Sequence, residues 1–157
     1  MRILLATDGS ESSAAAVREI ARRPFPAGSE LKVISVYESP FMPMAEPWMA
    51  AEFNHGELEK AERERAHKVV ETAAAELRAG GGSCQLKITT EVLAGAPKQV
   101  ILDEAERFKA NLIVVGSHGR GRLERFLLGS ISQAVAAHAK CSVEIVRSPN
   151  AQAGEVQ

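Results

Sequence analysis

Short apolar runs alternate with helix-patterned segments along this chain, and that alternation restricts its fold more than any other feature. RILLA (Arg2–Ala6) and NLIVVG (residues 111–116) are continuous and aliphatic, as strands buried on both faces are. LKVISVYE, from Leu31 to Glu38, and SVEIVR, from Ser142 to Arg147, are further strand candidates. QLKITTEV differs: Leu86, Ile88, Thr90 and Val92 alternate with Gln85, Lys87, Thr89 and Glu91. That pattern predicts a half-exposed strand near a sheet edge.

Helical patterns fill the gaps. Ser10 is placed to cap ESSAAAVREIARR, with Glu11 complementing the dipole in the first turn. The longest stretch, GELEKAERERAHKVVETAAAELRAGGG, is expected to bury Leu58, Ala61, Val69, Val70, Ala73 and Leu77 on one face. Its other face carries the i,i+4 pairs Glu59–Arg63, Lys60–Glu64 and Glu64–Lys68. Pro97 suits the first turn of a third helix carrying Val100, Ile101, Ala105 and Phe108. A fourth starts near Gly129 and Ser130 and carries Ile131, Ala134, Val135 and Ala137.

Such a repeat predicts an α/β fold: a doubly wound, five-stranded parallel sheet of order 3-2-1-4-5 with helices on both faces. The two most apolar strands, the first and fourth, then lie centrally, and ligands bind where the order reverses between them. The loops ATDGS and GSHGRG meet at that point. Cys84 and Cys141 begin opposite edge strands, about 19 Å apart, so no internal disulfide is expected.

The chain has 157 residues, which predicts one domain over residues 1–148 and a flexible tail over 149–157. A net charge of −1 argues against general nucleic-acid binding. No apolar stretch approaches the roughly 20 residues that span a bilayer, and MRILLATDGS meets Asp8 too early for a secretory signal. A soluble, cytoplasmic chain is expected. The scattered histidines (His55, His67, His118, His138) and the cysteines show no metal-binding spacing.

The most chemically informative segment is VVGSHGRGRLERFLLGSISQAV, where Gly116, Gly119, Gly129 and Ser130 make a G-x2-G-x9-G-S pattern. A glycine closing a buried strand can let backbone approach a bound group. A second, three residues on, is expected to take a positive φ and help form an anion-binding nest. Gly129–Ser130 opens a helix whose first N–H groups lack internal partners and favour negative charge. The hydroxyls of Ser130 and Ser132 can add donors. This is a phosphate cradle without a Walker lysine: neither G-x-x-x-x-G-K-[ST] nor G-x-G-x-x-G is present, since Glu124 stands where the latter needs glycine.

On these motifs the chain resembles the universal stress protein family over nearly its whole length, from ILLATDGSESS through NLIVVGSHGRG to GSISQAVAAHAKCSVEIVR. Its spaced glycine signature is similar to that of the ATP-binding branch. The resemblance implies ATP as ligand and a homodimer through the last strand, from Ser142 to Arg147. Carried over by residue, it implies that Asp8 contacts ribose or adenine with Thr7 beside it, and that Val36 lines the adenine pocket. Gly116 and Gly119 border ribose and phosphates, and Gly129, Ser130 and Ser132 hold the phosphate chain. Ile131 and Arg120 complete the expected binding set. Any Mg²⁺ is expected to be held mainly by the phosphates.

Other readings stay open. Asp8 can also cap the helix that follows it. Arg120, Arg122 and Arg125 can draw in an anion or form a solvated loop face. The segment from Ser39 to Gly56 holds three prolines, three methionines and the only tryptophan. It is read as a lid, a partner-binding surface or an excursion covering apolar surface. The leading expectation is an ATP-binding stress-response or signalling module with no catalytic residue. The alternatives are a slow ATPase or phosphotransferase using His118 and the arginines, or a nucleotide-independent dimeric interaction module.

Overall fold

The computed structural model describes residues 1–38, 55–80, 86–120 and 128–148. Five strands, β1 (Arg2–Ala6), β2 (Glu30–Tyr37), β3 (Lys87–Ala94), β4 (Leu112–Gly116) and β5 (Ser142–Val146), alternate with four helices. These are α1 (Glu11–Arg22), α2 (His55–Ala79), α3 (Pro97–Phe108) and α4 (Ser130–His138). The sheet order is β3-β2-β1-β4-β5, with every pairing parallel. The expected fold and order are therefore observed. Among the described residues no helix is long and apolar enough to cross a membrane.

Strand alternation sorts the core into two layers. Ile3 and Leu5 pair in register with Leu31 and Val33 on one side and Leu112 and Val114 on the other. That face packs on Ala16, Val17 and Ile20 of α1 and on Val70, Ala73 and Leu77 of α2. Leu4, Ala6, Ile34, Ile113 and Val115 point the opposite way, against Ile101 and Ala105 of α3 and Val135 of α4. Ile3, Leu4 and Leu5 are fully buried; in β3, Lys87 and Thr89 are exposed and Ile88 and Thr90 half-buried, as an edge strand requires.

The face expected for α2 needs correction at its start. Val70, Ala73 and Leu77 are buried, but Leu58 is 51% exposed and Ala61 also faces solvent. A helix of 25 residues extends about 37 Å at 1.5 Å per residue. An eight-residue strand such as β2 spans only about 26 Å. The first turns of α2 thus overshoot the sheet. Cys141 is a free, half-buried thiol at the β5 edge, while Cys84, residues 39–54 and residues 149–157 lie outside the described residues.

Candidate functional site

The order reverses between β1 and β4, so the loops leaving their carboxyl ends emerge side by side. Hydrogen bonds join them. Ser10, the cap of α1, accepts from Ser13 N at 3.3 Å and donates to His118 O at 3.2 Å. Asp8 Oδ1 accepts from Ser10 N at 3.0 Å, and its Oδ2 accepts from Arg120 N at 3.1 Å. Gly9 between them has φ +77°, a conformation that glycine adopts without strain. Asp8 therefore does cap the approach to α1, and it also faces the loop after β4.

Gly116 and Gly119 also meet neighbours that their spacing does not reveal. A Cβ at Gly116 would fall 2.6 Å from Ser13 N and 2.7 Å from Ser12 C. The first turn of α1, rather than open space for a ligand, occupies that volume. Gly119 is not among the positive-φ glycines, so the expected left-handed nest is not formed there. The N–H of Arg120 is committed to Asp8, and a Cβ on Gly119 would stand 3.0 Å from Asp8 Oδ2.

The donor wall comes instead from α4. Gly129 is its cap, and its N–H donates to Ser117 O at 2.8 Å. Gln133 N to Gly129 O, 3.0 Å, is the first bond inside the helix. The N–H groups of Ser130, Ile131 and Ser132 precede it and have no intrahelical acceptor. Ser130 is exposed. Ser132 is buried, and its hydroxyl lies 3.0 Å from Ser117 O and 2.9 Å from Gly129 O. A hydroxyl donating to those carbonyls fastens the end of β4 to the start of α4.

All ten residues assigned to ligand contact from the sequence line one cleft of about 290 Å³. Thr7 and Asp8 enter from β1, Val36 from β2, Gly116, Gly119 and Arg120 from β4, and Gly129, Ser130, Ile131 and Ser132 from α4. Sequence reasoning missed Ser13, Glu38, Pro97 and Ile101, which also line it. Pro97 and Ile101 were legible only as a helix start and a core position. The crossover from β3 brings them here. Ala6, Val36, Ile101, Val115 and Ile131 make an apolar floor, while Asp8 and Glu38 mark the β1–β2 side as negative. Arg120 and the first N–H groups of α4, which lack intrahelical acceptors, mark the other side as positive.

His118 also lines the cleft, with Nδ1 3.0 Å from the buried Ser117 hydroxyl. Among the described residues no group of three His, Cys, Asp or Glu is placed to hold a metal ion. Arg122, Glu124 and Arg125 lie outside the described residues.

The model of the universal stress protein family matches residues 1–147. The chain belongs to the universal stress protein family. A curated member, Universal stress protein MJ0531 of Methanocaldococcus jannaschii, is 36% identical over 151 residues, covering 94% of this chain and 82% of that protein. The solved structure of hypothetical protein MJ0577 superposes with a TM-score of 0.77 at 27% identity, over 95% of this chain and 96% of the other. A universal stress protein solved in complex with cAMP gives a TM-score of 0.62 at 25% identity, over 94% and 97% of the two chains.

Proposed function

We propose that this universal stress protein binds an adenine nucleotide, with ATP the expected form, in the cleft between β1 and β4. One observation carries the reading: Ser130, Ile131 and Ser132, whose N–H groups lack intrahelical acceptors, line the same cleft as an apolar floor. Phosphates suit the helix terminus, and a flat base suits Val36, Ile101, Val115 and Ile131. The cAMP complex of a similar protein supports the same ligand class. Both oxygens of Asp8 already accept backbone N–H bonds, so any Mg²⁺ would be held chiefly by the phosphates. Nucleotide occupancy would then act on partner surfaces in a cytoplasmic stress or signalling role.

Calorimetry with ATP is expected to give a dissociation constant of about 1 μM, near −8 kcal/mol. Ser130→Glu sets a carboxylate where the phosphates would lie, and its exposed position makes room for it. Negative charge at a helix start stabilises the helix, so binding should fall at least about 100-fold with thermal stability maintained. No heat with ATP, ADP or AMP in the parent chain would end the proposal.

The homodimer belongs to the same reading. Among the described residues β5 pairs with β4 alone and has no strand on its other edge, with Val143 and Ile145 half-buried beside it. Such an edge favours pairing with a second copy. Sedimentation equilibrium at micromolar concentration should report a dimer, and a clean monomer would overturn the assignment.

A further inference from the structure

We propose that Glu38 is the base-reading residue of the cleft, accepting a hydrogen bond from an exocyclic amino group of the bound base. The inference rests on the nucleotide reading above and adds to it a specificity determinant. Glu38 follows directly on β2, is exposed, and lines the cleft. Its carboxylate has no hydrogen bond or ion pair among the described residues. Asp8, the other cleft carboxylate, is held by two backbone N–H groups.

The orientation of a nucleotide follows from charge. Phosphates are drawn to α4 and Arg120 and repelled by Glu38, so the base must occupy the β2 side. There the floor residues Val36, Pro97, Ile101, Val115 and Ile131 offer no side-chain hydrogen bond. Of the two carboxylates on that side, Glu38 is the one not held by backbone N–H groups. An ionised carboxylate only accepts, so it pairs with an amino group and gains nothing from a base without one. A charge-assisted bond at an exposed position should be worth about tenfold in affinity.

The test compares ATP with purine riboside triphosphate, which lacks only the amino group, in the parent chain and in Glu38→Ala. The parent should prefer ATP by about tenfold. In Glu38→Ala that preference should vanish: ATP binds more weakly, while the amino-free nucleotide binds as well as before or better, because a repelling charge is gone. A purely structural role would weaken both nucleotides together. Binding of both with an unchanged ratio would overturn the assignment of Glu38 alone. Absence of heat with either nucleotide in the parent chain would overturn the nucleotide reading and this inference with it.

Discussion

A Lys32→Met variant is expected to lose about 3 kcal/mol of folding stability, read as a lower urea midpoint at unchanged slope. Lys32 stands on β2 facing α3, and its ammonium lies 2.5 Å from Glu104 Oε1 and also pairs with Glu91. Glu104 is only 3% exposed, and Arg107 closes the group by donating to Glu104 at 2.6 Å and to Glu91 at 3.2 Å. Two carboxylates thus share two cations. Without Lys32, a buried carboxylate keeps one largely exposed arginine and gains an unscreened anionic neighbour in Glu91. Methionine restores the volume but not the charge. The companion variant Lys32→Met with Glu104→Leu should recover most of the loss, because an apolar pair can replace a buried ion pair at little cost. A single variant as stable as the parent would mean that the cluster adds nothing net.

The same cluster sets the pH range of stability. Burial pulls the Lys32 ammonium down, but its hydrogen bonds to Glu104 and Glu91 outweigh that pull and hold it above the usual lysine value. The Lys32 hydrogen bond holds Glu91 below the usual carboxylate range, against an opposing effect of burial. The contribution of Glu91 is complete above its unfolded pKa and is lost as pH falls through the lower folded value. That of Lys32 is complete below its unfolded pKa and is lost as pH rises through the higher folded value. This cluster should therefore contribute evenly between about pH 5 and pH 10. In Lys32→Met the alkaline loss should disappear and the acid loss shrink.

Periodicity in the chain made the sheet legible. Continuous runs marked β1 and β4 as central, and the alternation of Ile88 and Thr90 with Lys87 and Thr89 marked β3 as an edge. The spacing of Gly116, Gly119, Gly129 and Ser130 likewise picked out residues that gather at one cleft. What it could not carry was which neighbour fills the space beside each one. The fit of α1 against Gly116 joins segments about a hundred positions apart, as does the Asp8–Arg120 bond. Glu104 breaks an apolar helix face for a reason visible only once β2 lies beneath it. Leu58 reads as core by phase alone, although the sheet ends before it.

Gly116→Ala is expected to cost about 2–3 kcal/mol and to lower nucleotide affinity as a secondary effect. The new Cβ would sit 2.6 Å from Ser13 N and 2.7 Å from Ser12 C. Both are backbone atoms, so no rotamer change relieves the contact, and either α1 or β4 must move. Movement of α1 pulls on Ser10 and so on its bonds to His118 O and to Asp8. The cleft would loosen along the same line. Gly119→Ala is the control: among the described residues its Cβ would meet only Asp8 Oδ2, at 3.0 Å, and its φ is not positive. That carboxylate can turn aside, so stability should change by less than about 1 kcal/mol. Thermal melts of the two variants separate a glycine required by backbone packing, Gly116, from one whose neighbour is a side chain that can turn, Gly119. If Gly116→Ala melted with the parent yet lost nucleotide, the first glycine would serve ligand approach after all, and α1 would have to yield easily at its first turn.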